Sequence, residues 1–385
     1  MQHSGVNKLL DLSRSHLKNT SLIYVKSSKF YLINFLIIKT SNNSLNYYYK
    51  CKYPMIKKTT ISAHFIISSV ILFSSLISIC FQSHADNWTT EDNLSGMDSV
   101  HIYQPTTTPL INNKRALMIN LHGCLMSNTN MKEHAGWSQV ADKFGMVVAL
   151  PDVPDRGAFS IDCWDYYGSD HTRLNKYNND IIQLALELIK RPELNIDPDQ
   201  VYITGFSSGG GQVNVIACLA PDIFSGVGSA SGPGLGTTAT QYANVPSHYS
   251  NIKQAKSCQD MAGKYSPNFA TQIYSTIHGS ADTTVAPNFN EHGAAIMANV
   301  YGAAHKSSAI PISTDGTNVI FSDSIGPRVS KIVVNGMGHK WPSKNGANTG
   351  YFVNNKVNYP NYVTQWFFDN NRRIKKAEDA KTDMN

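Results

Sequence analysis

The segment that most constrains this chain is Val201-Tyr-Ile-Thr-Gly205-Phe206-Ser207-Ser208-Gly209-Gly210-Gly211. Val201–Thr204 is a short β-prone apolar run, and Ser208–Leu219 reads as a helix. Between them stands Gly-x-Ser-x-Gly. A serine on a sharp strand-to-helix turn sits in a strained backbone conformation and needs small neighbours, and Gly205 and Gly209 provide the clearance. Its Oγ then projects at a helix N-terminus, whose dipole favours developing negative charge. A glycine-rich turn without chemistry has a similar composition. The order strand, serine turn, helix is what makes Ser207 the candidate nucleophile.

A serine hydroxyl is a weak nucleophile at neutral pH and needs a base. With this kind of turn, the carboxylate and the histidine follow the serine in chain order. His278-Gly279-Ser280-Ala281-Asp282-Thr283-Thr284-Val285 directly follows the strand-like QIYSTI, so Asp282 is the candidate acid. Lys331–Val334 runs into Asn335-Gly336-Met337-Gly338-His339-Lys340-Trp341-Pro342, and His339 is the candidate base. The spacings, 75 residues from Ser207 to Asp282 and 57 from Asp282 to His339, each leave room for one or two β/α units. His122, His248, His278, His292 and His305 are read as structural or surface histidines. Asp222 and Asp260 follow no good strand. An oxyanion hole needs backbone N–H donors in place before the reaction. Ser208, the residue after the nucleophile, is one candidate. Cys124, in the loop where ALMINL ends at His122-Gly123, is the other, although His122-Gly123 is also consistent with a simple strand-ending turn.

Around these motifs, β-rich runs alternate with helical patterns. Strands are expected at Ala116–Leu121, Met146–Leu150, Val201–Thr204, Gly226–Ala230, Gln272–Ile277 and Lys331–Val334. Helices are expected at Ile181–Ile189, Ser208–Leu219, Ala294–Tyr301 and Tyr362–Arg373, with a turn at Asp197-Pro198 and a β-hairpin insertion within 305–330. The alternation implies an α/β architecture, a mainly parallel central sheet flanked by helices, built as a single catalytic domain over 86–385. No internal repeat is present, and the sequence sets no oligomeric state.

The formal net charge of +6 invites a nucleic-acid partner until it is located. Residues 1–85 hold ten basic residues against the single acid Asp11, a net of +9, which leaves 86–385 at −3. No nucleic-acid partner is therefore expected. A hydrophobic content of 42% excludes wholesale disorder, and a mean hydropathy of −0.25 excludes a polytopic membrane protein. From Met55, Lys57 and Lys58 precede an apolar run, Phe65–Phe81, and the small-x-small site Ser83-His84-Ala85. These are the parts of a secretory signal peptide at 55–85, predicting a secreted or periplasmic protein with no stable membrane anchor after cleavage. Met55 is then the expected start, and 1–54 an upstream extension foreign to the native protein or a disordered segment. Residues 86–385 keep Cys124, Cys163, Cys218 and Cys258, enough for two disulfides in any of three pairings. No cysteine–histidine spacing suits zinc, and no metal or other cofactor is expected.

These motifs together resemble the esterase/polyhydroxybutyrate (PHB) depolymerase family of secreted α/β-hydrolases. Leu121-His122-Gly123-Cys124 is similar to its oxyanion segment, Cys163-Trp164 to its Cys-Trp element, and Asp197–Gly205 to the approach to its serine motif. The loops His278–Val285 and Gly336–Pro342 are similar to its acid and histidine loops, so the resemblance spans roughly 115–345. It implies the α/β-hydrolase fold, a Ser207–Asp282–His339 triad, Cys124 as an oxyanion donor and a Cys124–Cys163 disulfide, which leaves Cys218 with Cys258. Trp164 and Trp341 flank the inferred site, either as walls of an apolar acyl pocket or as core aromatics. The expected activity is serine esterase action on 3-hydroxyalkanoate polyester or its oligomers. Polymer-degrading members usually append a linker and a binding domain. This sequence stops soon after its closing helix, so oligomers, amorphous polymer or another ester fit better than crystalline polymer. A feruloyl or acetyl-xylan esterase is the alternative, marked by aromatic-acid release. A catalytically inactive binding protein of the same fold is the reading from another class, and reaction of Ser207 with a fluorophosphonate excludes it.

Overall fold

The computed structural model describes residues 87–374, and before them the backbone of four strands between Leu22 and Ser62. The chain divides into two units, Met1–Ala85 and Asp86–Asn385. In the first, β1 (Leu22–Val25), β2 (Asn34–Lys39), β3 (Ser44–Lys50) and β4 (Lys57–Ser62) pair antiparallel in sequence order. Apart from these strands, the extension expected at 1–54 and the signal peptide expected at 55–85 lie outside the described residues.

The second unit is built on one sheet. Its strands are β5 (Trp88–Asp92), β6 (Ser99–Tyr103), β7 (Arg115–Leu121), β8 (Val147–Pro151), β9 (Ile196–Phe206), β10 (Gly226–Ala230) and β11 (Ile273–Gly279). They continue through β12 (His305–Lys306), β13 (Ile310–Pro311), β14 (Gly316–Ser322) and β15 (Pro327–Val334). The order is β12-β14-β15-β11-β10-β9-β7-β8-β6-β5, with β13 also on β14. From β15 to β8 the pairing is parallel, and antiparallel strands extend both edges. The insertion expected within 305–330 is the β14–β15 edge of this sheet, with β12 and β13 added to it. A separate pair joins β16 (Trp341–Pro342) and β17 (Phe352–Val353).

Side-chain alternation explains the layers. Leu117, Ile119 and Leu121 of β7 enter one core, and Ala116 and Met118 the other. The helices are α1 (Asn128–His134), α2 (Trp137–Phe144), α3 (Asn178–Ile189), α4 (Ser208–Leu219), α5 (Asn251–Ala262), α6 (Phe289–Tyr301) and α7 (Tyr359–Asn370). Side chains of α3–α6 fill the first core, and those of α1, α2 and α7 the second. The result is a mostly parallel sheet between helical layers, the α/β-hydrolase architecture.

The expected turn at Asp197-Pro198 falls inside β9. Pairing with β7 jumps from Arg115↔Ile196 to Leu117↔Val201, so four residues bulge out of the ladder. Pro198 has no N–H to donate there, and the Asp197 carboxylate accepts from Asp199 N and Gln200 Nε2, both at 3.1 Å. The turn chemistry is present, inside a strand that continues past it.

Candidate active site

Because β7, β8, β9, β11 and β15 are parallel, the loops leaving their C-terminal ends share one edge of the sheet. His122 follows β7, Ser207 follows β9, Asp282 follows β11 and His339 follows β15.

Ser207 has φ 56° and ψ −118°, a left-handed-side conformation that only a tightly supported non-glycine residue holds. The support is backbone against backbone. A Cβ on Gly205 would lie 2.3 Å from the Gly209 carbonyl oxygen, and one on Gly209 would lie 2.4 Å from that of His122. The Ser207 N–H donates to Ala230 O at 2.9 Å, tying the turn to β10. Close approach also explains how α4 tolerates three consecutive glycines. Gly210 abuts Gly232 and Gly211 lies under the Tyr166 ring, so packing offsets a helix propensity loss of about 1 kcal/mol per glycine.

His339 Nε2 stands 2.9 Å from Ser207 Oγ, and its Nδ1 stands 2.7 Å from Asp282 Oδ2. A carboxylate only accepts, so Nδ1 carries the proton and Nε2 is free to accept from the serine hydroxyl. Asp282 is fully buried at its side chain. Burial alone would raise its pKa, but hydrogen bonds from His278 and His339 outweigh that and hold the carboxyl well below the usual carboxylate range. Its Oδ1 accepts the N–H groups of Thr284 and Val285 at 2.8 and 2.9 Å. The expected serine, acid and histidine therefore converge.

The two expected oxyanion donors lie on segments beside Ser207. Ser208 opens α4, where a helix's first N–H groups have no intrahelical acceptor. Cys124 follows Gly123, whose added Cβ would lie 3.0 Å from Ser207 Cβ. His122 has a part that its sequence context did not reveal. Its Nε2 lies 3.2 Å from Val153 N and 3.1 Å from Asp152 Oδ1, and because Gly123 O can only accept, Nδ1 carries a proton and donates to it at 2.8 Å. That carbonyl belongs to the peptide whose N–H is on Cys124. In a trans peptide the two point opposite ways, so His122 aims the Cys124 N–H.

Disulfides join Cys124 to Cys163 and Cys218 to Cys258. The first pins the Cys124 loop to the loop after β8. Of the two expectations for Trp164 and Trp341, pocket wall or core aromatic, the burial fits the second, since both are fully buried. Trp164 packs against His122 and Tyr177, and Trp341 against Trp137 and Phe206, while its indole N–H donates to Ala135 O at 3.2 Å. In this conformation they are core aromatics behind the site. The aromatic beside the triad that reaches solvent is Tyr351, edge-on to His339 at 6.3 Å, which the sequence did not single out. The rejected acids are engaged elsewhere, Asp222 with Arg173 and Asp260 with Lys256. Among the described residues, no cluster of three His, Cys, Asp or Glu side chains is placed to hold a metal.

The comparisons with known proteins bear on this geometry. A family described as "Esterase PHB depolymerase" matches residues 99–287. A poly(3-hydroxybutyrate) depolymerase of Ralstonia pickettii is 36% identical over 301 residues, 76% of this chain. The chain belongs to the esterase/PHB depolymerase family. It spans 62% of the length of that R. pickettii relative. A probable acetylxylan esterase A of Aspergillus flavus is 26% identical, covering 64% of this chain and 81% of its own. Among solved structures, an acetyl xylan esterase from Aspergillus awamori aligns with a TM-score of 0.55 at 21% identity, over 66% of this chain and 93% of its own, a likeness of fold. The family match includes Cys124, Ser207 and Asp282 and stops before His339, which is placed by geometry alone.

Proposed function

We propose that this member of the esterase/PHB depolymerase family is an exported serine esterase that cleaves 3-hydroxyalkanoate polyester or its oligomers. The observation that carries the reading is the continuous relay Ser207 Oγ–His339–Asp282, at 2.9 and 2.7 Å. His339 takes the serine proton as Oγ attacks the ester carbonyl. Asp282 holds the imidazole tautomer and stabilises the imidazolium. The N–H groups of Cys124 and Ser208 receive the oxyanion, and each donor is worth about 10²–10³-fold in rate. His339 then protonates the departing alcohol, and the acyl-enzyme is released when His339 activates water.

The polyester substrate is supported by the similarity to the R. pickettii depolymerase and by the rim of the site. Leu125, Phe159 and Ile161 are 63, 66 and 40% exposed on the two loops that the Cys124–Cys163 disulfide joins. Such an apolar rim suits a chain of methyl-bearing esters better than a polyol. Export is supported by the two disulfides, which persist in oxidising compartments. Among the described residues, no helix is long and apolar enough to cross a membrane.

The acetylxylan esterase reading is favoured by the similarity to the A. flavus protein. Purified protein assayed in parallel on 3-hydroxybutyrate oligomers, amorphous PHB, acetylated xylan and methyl ferulate separates the readings. The expected result is Ser207-dependent release of 3-hydroxybutyrate. Release of acetate or ferulate alone would keep the fold and overturn the substrate.

A further inference from the structure

The relay needs one hydrogen bond to Asp282 from a histidine, and the structure supplies two. His278, at the end of β11, is buried, with Nε2 3.0 Å from Asp282 Oδ2 and 3.1 Å from Val285 O. Both neighbours are acceptors, so Nε2 carries the proton and shares it between them. Asp282 Oδ2 thus receives N–H groups from His278 and His339, while Oδ1 receives two backbone N–H groups. All the acceptor capacity of the carboxylate is engaged.

We propose that His278 is a positioning residue that tunes the relay: by competing with His339 for Oδ2, it fixes the Asp282 carboxylate and limits how strongly that carboxylate holds the His339 imidazolium. The inference rests on the esterase reading, in which Asp282 orients the base. A base that binds its proton too tightly is idle at neutral pH, and one whose partner swings free loses its orientation. The titratable groups acting on Asp282 are His278 from β11 and His339 from the loop after β15, and its other partners are the uncharged N–H groups of Thr284 and Val285.

His278→Phe keeps a planar ring and removes the donor, whereas His278→Gln restores an N–H near the Nε2 position. With a soluble ester, His278→Phe is expected to lower kcat about tenfold with KM nearly constant. It also moves the acid limb of the pH profile to higher pH by about half a unit or more, as a charged partner gains strength. His278→Gln returns the limb toward the wild-type position. Equal losses in both variants with an unmoved limb would reduce His278 to packing and overturn the proposal. Nitrogen-15 NMR of the full wild-type chain decides the point without turnover or a variant. The proposal requires a protonated Nε2 and an unprotonated Nδ1 on His278, and the reverse tautomer overturns it. If the wild type hydrolyses no ester, the esterase reading fails while the NMR result still stands for or against the contact.

Discussion

The serine turn packs on the His122–Cys124 loop, which the Cys124–Cys163 disulfide pins to the loop after β8, and the turn and that last loop are built on opposite principles. At the turn, Gly205 and Gly209 lie so close to neighbouring carbonyls that no side chain fits, and every residue of Ser208–Leu219 is buried. Across 153–163 the backbone takes positive φ at Asp155, Arg156, Phe159, Ser160 and Asp162, and Phe159 and Ile161 face solvent. Each such non-glycine residue costs about 1–2 kcal/mol. There is little core beneath this loop to offset that cost. Backbone bonds between Ala158 and Cys163 and between Leu125 and Ile161 brace it, together with the disulfide. Closing a loop of 39 residues contributes about 4 kcal/mol on a chain-entropy account. The lesson is a division of labour. The reacting atoms are held by packing that admits no alternative, whereas the apolar surface around them is held by cross-links that leave its outer face open.

That contrast is breakable from either side. The larger effect is expected at the turn. Gly209→Ala puts a Cβ 2.4 Å from His122 O and 2.6 Å from Leu121 O, both backbone atoms that cannot step aside cheaply. Displacing this segment spoils the oxyanion site, so ester turnover should fall at least about 10²-fold, with a lowered melting temperature. Circular dichroism melting alongside kinetics checks it, and a variant with unchanged rate and stability refutes the packing argument. The smaller effect is expected at the loop. Leu125→Ser with Phe159→Ser should reduce turnover of amorphous polymer about tenfold, while a soluble short-chain ester loses less than about twofold. Equal losses on both substrates would mean that these residues support the turn rather than meet the substrate.

The same contrast explains what the sequence disclosed. The parallel strands were legible because strands buried on both faces read as continuous apolar runs, as in ALMINL and VVAL. Ser207, Asp282 and His339 were legible because each follows such a run into a loop of small residues. β5 was not, because Trp88–Asp92 is a polar edge strand that lacks an alternating buried face. Helices α1 and α2 escaped notice because each is only seven or eight residues long, and α1 depends on a Ser127–Asn130 capping box. His122 and His278 were read as structural, since their roles arise from contacts with Gly123 O and Asp282 that no linear pattern encodes. Trp164 and Trp341 stayed open between pocket wall and core aromatic for the converse reason: proximity in sequence to the site placed them near it but said nothing of which way the indoles turn.

The central claim is that Ser207 is the nucleophile driven by His339. Its most direct test is reaction of the purified chain with a fluorophosphonate, followed by mapping of the adduct by mass spectrometry. The expected result is a single adduct on the peptide containing Ser207, none in Ser207→Ala, and labelling slowed by orders of magnitude in His339→Ala. An adduct on another residue, or undiminished ester hydrolysis by Ser207→Ala, would contradict it.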